Sequence, residues 1–241
     1  MDSRKSEFVE WIRENPDSRK SPPANIHHPA PPPPPQIDPR PTPPPPRPPG
    51  PGAPRPPAQR LAGRSGPLRL LVVGGSLGAQ ALNDIVPKAL ALIPAAQRPV
   101  VTHQSGARQI DVLRANYQAA GVQAELTPFI DDTAQAFAEA DLVICRAGAS
   151  TVTELAAVGV AAVYVPFPHA VDDHQTTNAR FVVDAGGGWL VPQRELTPEG
   201  LAALLQGLDR AQLIVRAQAA KSLEKTEATA QVVAACEALA S

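Results

Sequence analysis

The stretch Leu68-Arg69-Leu70-Leu71-Val72-Val73-Gly74-Gly75-Ser76-Leu77-Gly78-Ala79 decides the fold of this chain. Its apolar run has the length of a buried strand, glycines then turn the chain, and an amphipathic stretch follows to residue 92. A strand apolar on both faces and followed at once by a helix is the repeating unit of a parallel sheet. The same alternation continues downstream. Residues 100–103, 122–126, 142–145, 160–165 and 188–191 read as further strands. Helices are expected over 79–92, 107–119, 133–138, 151–157 and 174–184, and from Thr197, Ala211 and about Thr226. Right-handed crossovers turn this order into an α/β fold, a Rossmann-like parallel sheet with helices on both faces. Its ligand is expected beyond the carboxyl ends of the strands.

Composition divides the chain upstream of that sheet. Of 30 prolines, 22 lie in residues 1–67, including the runs 31–35 and 43–46. Consecutive prolines lack backbone donors and favour polyproline II, and with few apolar residues to bury they do not repay the entropy of folding. Residues 1–58 are therefore read as a disordered proline-rich segment and residues 59–241 as the folded domain. The tract 43–49 could dock an aromatic groove, or serve as a linker with no partner. Net charge is -1, which gives no basis for binding nucleic acid. No apolar run reaches the ~18 residues of a transmembrane helix. The charged amino terminus carries Trp11 where a signal peptide needs an apolar core, so the setting reads as cytoplasmic. Two cysteines, Cys145 and Cys236, are too few for a disulfide framework.

Each strand is followed by glycines or polar residues. The turn Gly74, Gly75, Ser76, Gly78 leads into a helix whose free N–H groups and positive dipole end suit an anion, although it is neither a Walker loop nor a strict dinucleotide fingerprint. His103-Gln104-Ser105-Gly106 ends the second strand; His103 either lines the cleft or packs in the core. Asp131-Asp132, after Ile130, has the pattern of a helix cap. In Arg146-Ala147-Gly148-Ala149-Ser150-Thr151 with Glu154, Thr151 at N-cap and Glu154 at N3 would close a capping box. Alternatively a second helix N-terminus faces the cleft, with Glu154 placed to accept from ribose hydroxyls. Asp173-His174-Gln175 with Asn178 sets neutral polar side chains on one face of a helix, as sugar hydroxyls require. No metal-ligand spacing accompanies His174.

Taken together and in order, these motifs closely resemble the carboxyl-terminal half of the MurG family, the bacterial peptidoglycan N-acetylglucosaminyltransferases, from about Gln59 to Ala240. The resemblance implies a GT-B architecture, in which this half holds the donor UDP-GlcNAc. By position, Gly74, Gly75, Ser76 and Gly78 would meet the diphosphate, and Ile130 would contact uracil through its backbone. Ala149, Ser150 and Thr151 would line the nucleotide pocket, and Glu154 would bind the ribose. His174 and Gln175 would hold the GlcNAc hydroxyls, with Asn178 supporting their helix. The implied reaction is inverting GlcNAc transfer to lipid I, giving lipid II, with neither metal nor cofactor, at the inner face of the plasma membrane. Residues 1–58 match none of the family's acceptor-domain motifs. The expectation is a donor half that transfers nothing alone and meets lipid I only when an acceptor domain is supplied. The alternative is a non-catalytic donor-binding subunit working with a separate acceptor-binding chain.

Overall fold

A computed structural model describes residues 55–75, 79–168, 173–224, 233–234 and 236–239. The proline tracts, most of the expected disordered segment, and Ser76 and Gly78 lie outside the described residues, as does most of the helix expected from Thr226. Six strands form one sheet in the order β3-β2-β1-β4-β5-β6, every neighbour parallel. They are β1 Arg69–Val73, β2 Val100–Gln104, β3 Glu125–Thr127, β4 Leu142–Cys145, β5 Ala161–Tyr164 and β6 Gly188–Leu190. The helices are α1 Pro57–Leu61, α2 Gln80–Leu92, α3 Ile110–Ala120, α4 Thr133–Glu139, α5 Ala149–Val158, α6 His174–Val183, α7 Pro198–Gln206 and α8 Arg210–Lys221.

Alternation along the central strands divides the core between the two faces. Leu70, Val72, Leu142, Ile144, Ala161 and Val163 pack on one side with residues of α2, α3 and α7. Leu71, Val143, Cys145, Ala162 and Tyr164 pack on the other with α4, α5 and α6. Both cysteines are free; Cys145 is buried in this second cluster and Cys236 is exposed. Among the described residues no helix is long and apolar enough to cross a membrane.

Helix α1 begins at Pro57, two residues before the expected domain start at 59. Proline is well suited to the first helical turn, where its missing N–H costs nothing, so a proline-rich composition here opens a helix rather than ending order. The helix and the residues after it are fastened to the amino-terminal edge of the sheet by arginines. Arg60 donates to the carbonyls of Ala138, Ala140 and Gly159. The Asp141 carboxylate, at the start of β4, is fully buried and receives Arg64 at 2.6 Å, Arg210 at 3.0 Å and the Arg69 backbone N–H at 3.0 Å. Arg210 also donates to the Gly66 and Pro67 carbonyls. Burial lowers the Arg60 pKa to about 10, leaving it charged at neutral pH.

Candidate functional site

The strands end level with one another. Register aligns Val73 with Gln104 and Cys145, Gln104 with Thr127, Cys145 with Tyr164, and Tyr164 with Leu190. The loops carrying the expected site residues therefore leave from one edge. Because β1 and β4 are neighbours while the chain crosses over in opposite directions from them, the crevice of this sheet falls between their carboxyl ends. Glycine-led turns at Gly74 and Gly148 stand on either side of it.

On the β4 side, α5 begins at Ala149 with Gly148 as N-cap and no side-chain cap. This corrects the capping-box reading. Thr151 occupies the third helical position, and Glu154 lies in the second turn, exposed and with no side-chain partner among the described residues. The first helical backbone bond is donated by Val152 N–H to Gly148 O. Ala149, Ser150 and Thr151 thus keep N–H groups with no intrahelical partner at the positive end of a ten-residue helix.

The peptide that leads into α5 is held from both sides. Gln175 Oε1 accepts from Ala147 N–H at 3.3 Å and from Phe167 N–H at 3.0 Å, while Asn178 Nδ2 donates to Ala147 O at 3.1 Å. Spacing of three on α6 puts both amides on one face, as expected, and one of them faces the β5 loop as well. His174 is exposed at the start of that helix. Its N-cap, Asp173, has φ 51°, which few non-glycine residues adopt. The Asp173 carboxylate accepts from Thr176 Oγ1 at 2.6 Å instead of capping the backbone. Arg146, unremarked in the sequence except as part of its motif, ties the edge together. It donates to Val165 O and Pro166 O, reaches Gln193 Oε1 at 2.6 Å, and lies 5.4 Å from the Phe167 ring centroid.

On the β1 side, Gly74 N–H donates to Gln104 O and Gly75 N–H to Gln104 Oε1. Both N–H groups are already engaged, so these residues contribute the shape of the turn. Gly75 takes φ +81°, a conformation open chiefly to glycine. Ile130 is half-buried in the loop after β3. Asp132 caps α4 by accepting from Gln135 N–H at 2.8 Å, as its pattern predicted.

His103 is packed, not presented. Tyr117 Oη lies 3.0 Å from its Nδ1 and Asn83 Oδ1 lies 3.1 Å from its Nε2. Since Asn83 Nδ2 donates to Gln109 Oε1, the Asn83 oxygen must accept, so the His103 proton sits on Nε2 and Tyr117 donates to Nδ1. Full burial lowers the His103 pKa to about 3. A histidine so placed is no general base for a substrate in the cleft. Among the described residues, no group of three His, Cys, Asp or Glu side chains is placed to hold a metal ion. A cavity of about 590 Å³ adjoins the site between α5 and α6, lined by Ala149, Val152, Ala156, Asn178 and Phe181 among others.

A parallel sheet in this order, with a glycine turn and an uncapped helix at its switch point, is a doubly wound, Rossmann-like domain. The family model for the glycosyltransferase family 28 C-terminal domain matches residues 69–234, and the chain belongs to that family. It is 74% identical over 183 residues to a relative from Paracidovorax citrulli and 73% identical over 184 residues to one from Polaromonas sp.. Both are named UDP-N-acetylglucosamine--N-acetylmuramyl-(pentapeptide) pyrophosphoryl-undecaprenol N-acetylglucosamine transferase. The match covers 76% of this chain but 52% and 48% of those relatives, so the chain spans about half the length of the proteins it matches. The crystal structure of MurG from Acinetobacter baumannii superposes with a TM-score of 0.70 at 43% identity, covering 75% of this chain and 52% of that one. WaaG, a glycosyltransferase involved in lipopolysaccharide biosynthesis, shares the fold at 19% identity with a TM-score of 0.54.

Proposed function

We propose that residues 59–241 bind UDP-GlcNAc as the donor half of a MurG-type transfer of GlcNAc to undecaprenyl-diphospho-muramoylpentapeptide, lipid I to lipid II. The observation that carries this reading is the α5 N-terminus, with the N–H groups of Ala149, Ser150 and Thr151 uncapped at the switch point of the sheet. In an inverting transfer the acceptor hydroxyl attacks the anomeric carbon in one displacement and UDP departs with growing negative charge. Helix dipole and backbone donors stabilise that charge without a metal. Ser76 and the Gly74–Gly78 turn serve the diphosphate from the other side, and the Ile130 backbone meets uracil. Glu154 accepts from the ribose hydroxyls. Gln175 spends its oxygen on Ala147 and Phe167, so its Nε2 remains to donate to a GlcNAc hydroxyl beside His174. Asn178 acts through the Ala147 carbonyl. The proton of the acceptor hydroxyl goes to a base on the acceptor side, and the lipid acceptor places the reaction at the inner face of the plasma membrane.

Calorimetric titration of the full chain with UDP-GlcNAc, beside UDP-galactose and GDP-mannose, tests the reading. Saturable binding at about 10 µM to 1 mM is expected, with GlcNAc preferred. A folded chain that binds none of the three, or binds all equally, rejects it.

A further inference from the structure

Gln104, the last residue of β2, makes contacts that its sequence did not announce. The residue is 3% exposed and both polar atoms of its amide are hydrogen-bonded. Oε1 accepts from Gly75 N–H at 3.1 Å, while Nε2 donates to Gly75 O at 3.1 Å and to Pro128 O at 3.0 Å. One amide therefore grips both polar groups of Gly75, in the turn after β1, and the carbonyl two residues ahead of Ile130, in the loop after β3. These loops stand on opposite sides of β2, and among the described residues no other side-chain hydrogen bond joins them.

We propose that Gln104 is a positioning residue that couples the two loops, so that a ligand spanning them finds both in register. The inference rests on the donor reading above, in which the first loop meets the diphosphate and the second the uracil. Gln104 has no free polar atom for substrate, so it acts only through Gly75 and Pro128. A glutamate of the same shape keeps the bond from Gly75 N–H but turns an acceptor toward two carbonyl oxygens, and it releases the Pro128 side. A methionine releases both.

The test compares the full chain with Gln104→Met and Gln104→Glu, at a temperature where all three are folded. UDP, which spans both loops, is expected to bind about tenfold more weakly to each variant, on the scale of coupling between residues sharing a hydrogen-bond network. Uridine and inorganic pyrophosphate, each touching one loop, are expected to lose less than about threefold. A role confined to the fold would weaken all three ligands alike, and that result overturns the proposal, as does unchanged UDP affinity. A readout without ligand separates this idea from the donor reading. Amide ¹⁵N order parameters of Gly75, Phe129 and Ile130 should fall together in Gln104→Met. If they do while the parent chain ignores UDP, the coupling stands and the donor reading fails. A fall at Gly75 alone overturns the coupling.

Discussion

Acidification is expected to destabilise this domain through one side chain. His103 sits wholly inside, receiving Tyr117 O–H and donating to Asn83, and burial lowers its pKa from 6.5 to about 3. In the unfolded chain the same imidazole takes a proton as pH falls through 6.5, whereas the folded domain refuses it until about pH 3. Between those values the unfolded state binds one more proton, so stability is fully present above pH 6.5 and declines as pH falls. The slope for one proton is about 1.4 kcal/mol per pH unit, which amounts to roughly 2–3 kcal/mol between about pH 6 and pH 4. That is a large part of the ~5–15 kcal/mol that holds a typical domain together. Carboxylates also titrate in this range, so the comparison is with His103→Gln, which cannot titrate but keeps an amide for Asn83 and Tyr117. Urea midpoints measured across this range should show the parent losing stability relative to the variant at that slope. Parallel curves for the two proteins would refute the reasoning, because they would mean that the imidazole is solvated or already paired as a cation.

Four further outcomes are expected, the first on the proposed donor reading and the rest from the geometry. If Glu154 holds the ribose as proposed, Glu154→Ala should weaken UDP-GlcNAc binding by about tenfold or more, and because the carboxylate is exposed it should shift the melting temperature by under a degree or two, the expectation for a surface change of ~0.5 kcal/mol or less; a calorimetric titration beside a thermal melt reads both. Asn178→Ala leaves the buried Ala147 carbonyl without its donor and should cost about 1–3 kcal/mol, measured by urea unfolding. Gly188→Ala would set a Cβ 2.3 Å from Ala162 O and 3.0 Å from Tyr164 Cε2 inside the β5–β6 pair. It should destabilise by about 1–3 kcal/mol or more in a thermal melt, whereas Gly63→Ala, which meets nothing within 4 Å, should not. Asp141→Leu leaves Arg64 and Arg210 without their carboxylate and should cost about 3–5 kcal/mol, read by urea unfolding, with proteolysis between residues 60 and 67 speeding up at the same time.

Much of this architecture was legible because the physics behind it is local. The strand at 142–145 appears with the boundaries its four consecutive apolar residues predicted, since a strand buried on both faces leaves no alternation to misread. Asp132 was legible for the same reason, as an acidic residue three positions ahead of a helical amide. Where several residues could satisfy one requirement, the sequence was ambiguous. Ser150, Thr151 and Gly148 can all begin a helix, and choosing Gly148 moved Glu154 out of capping distance and released the first donors of α5. The third strand was expected at 122–126 but pairs over Glu125–Thr127, because its register is set by β2 rather than by its own pattern.

The amino-acid order by itself determined that this chain builds a parallel sheet, that glycines and polar residues follow its strands, and which motifs those positions carry. Such features depend on periodicity and turn chemistry, which act over a few residues. Only the tertiary structure decided the state of each polar side chain. It turned His103 inward, engaged all of Gln104, split Gln175 between two backbone amides, and gathered Arg64, Arg69 and Arg210 on Asp141 from positions up to 146 residues apart. The partners of a buried polar group are chosen by what the packed strands and helices bring within about 3 Å, and no spacing along the chain encodes that.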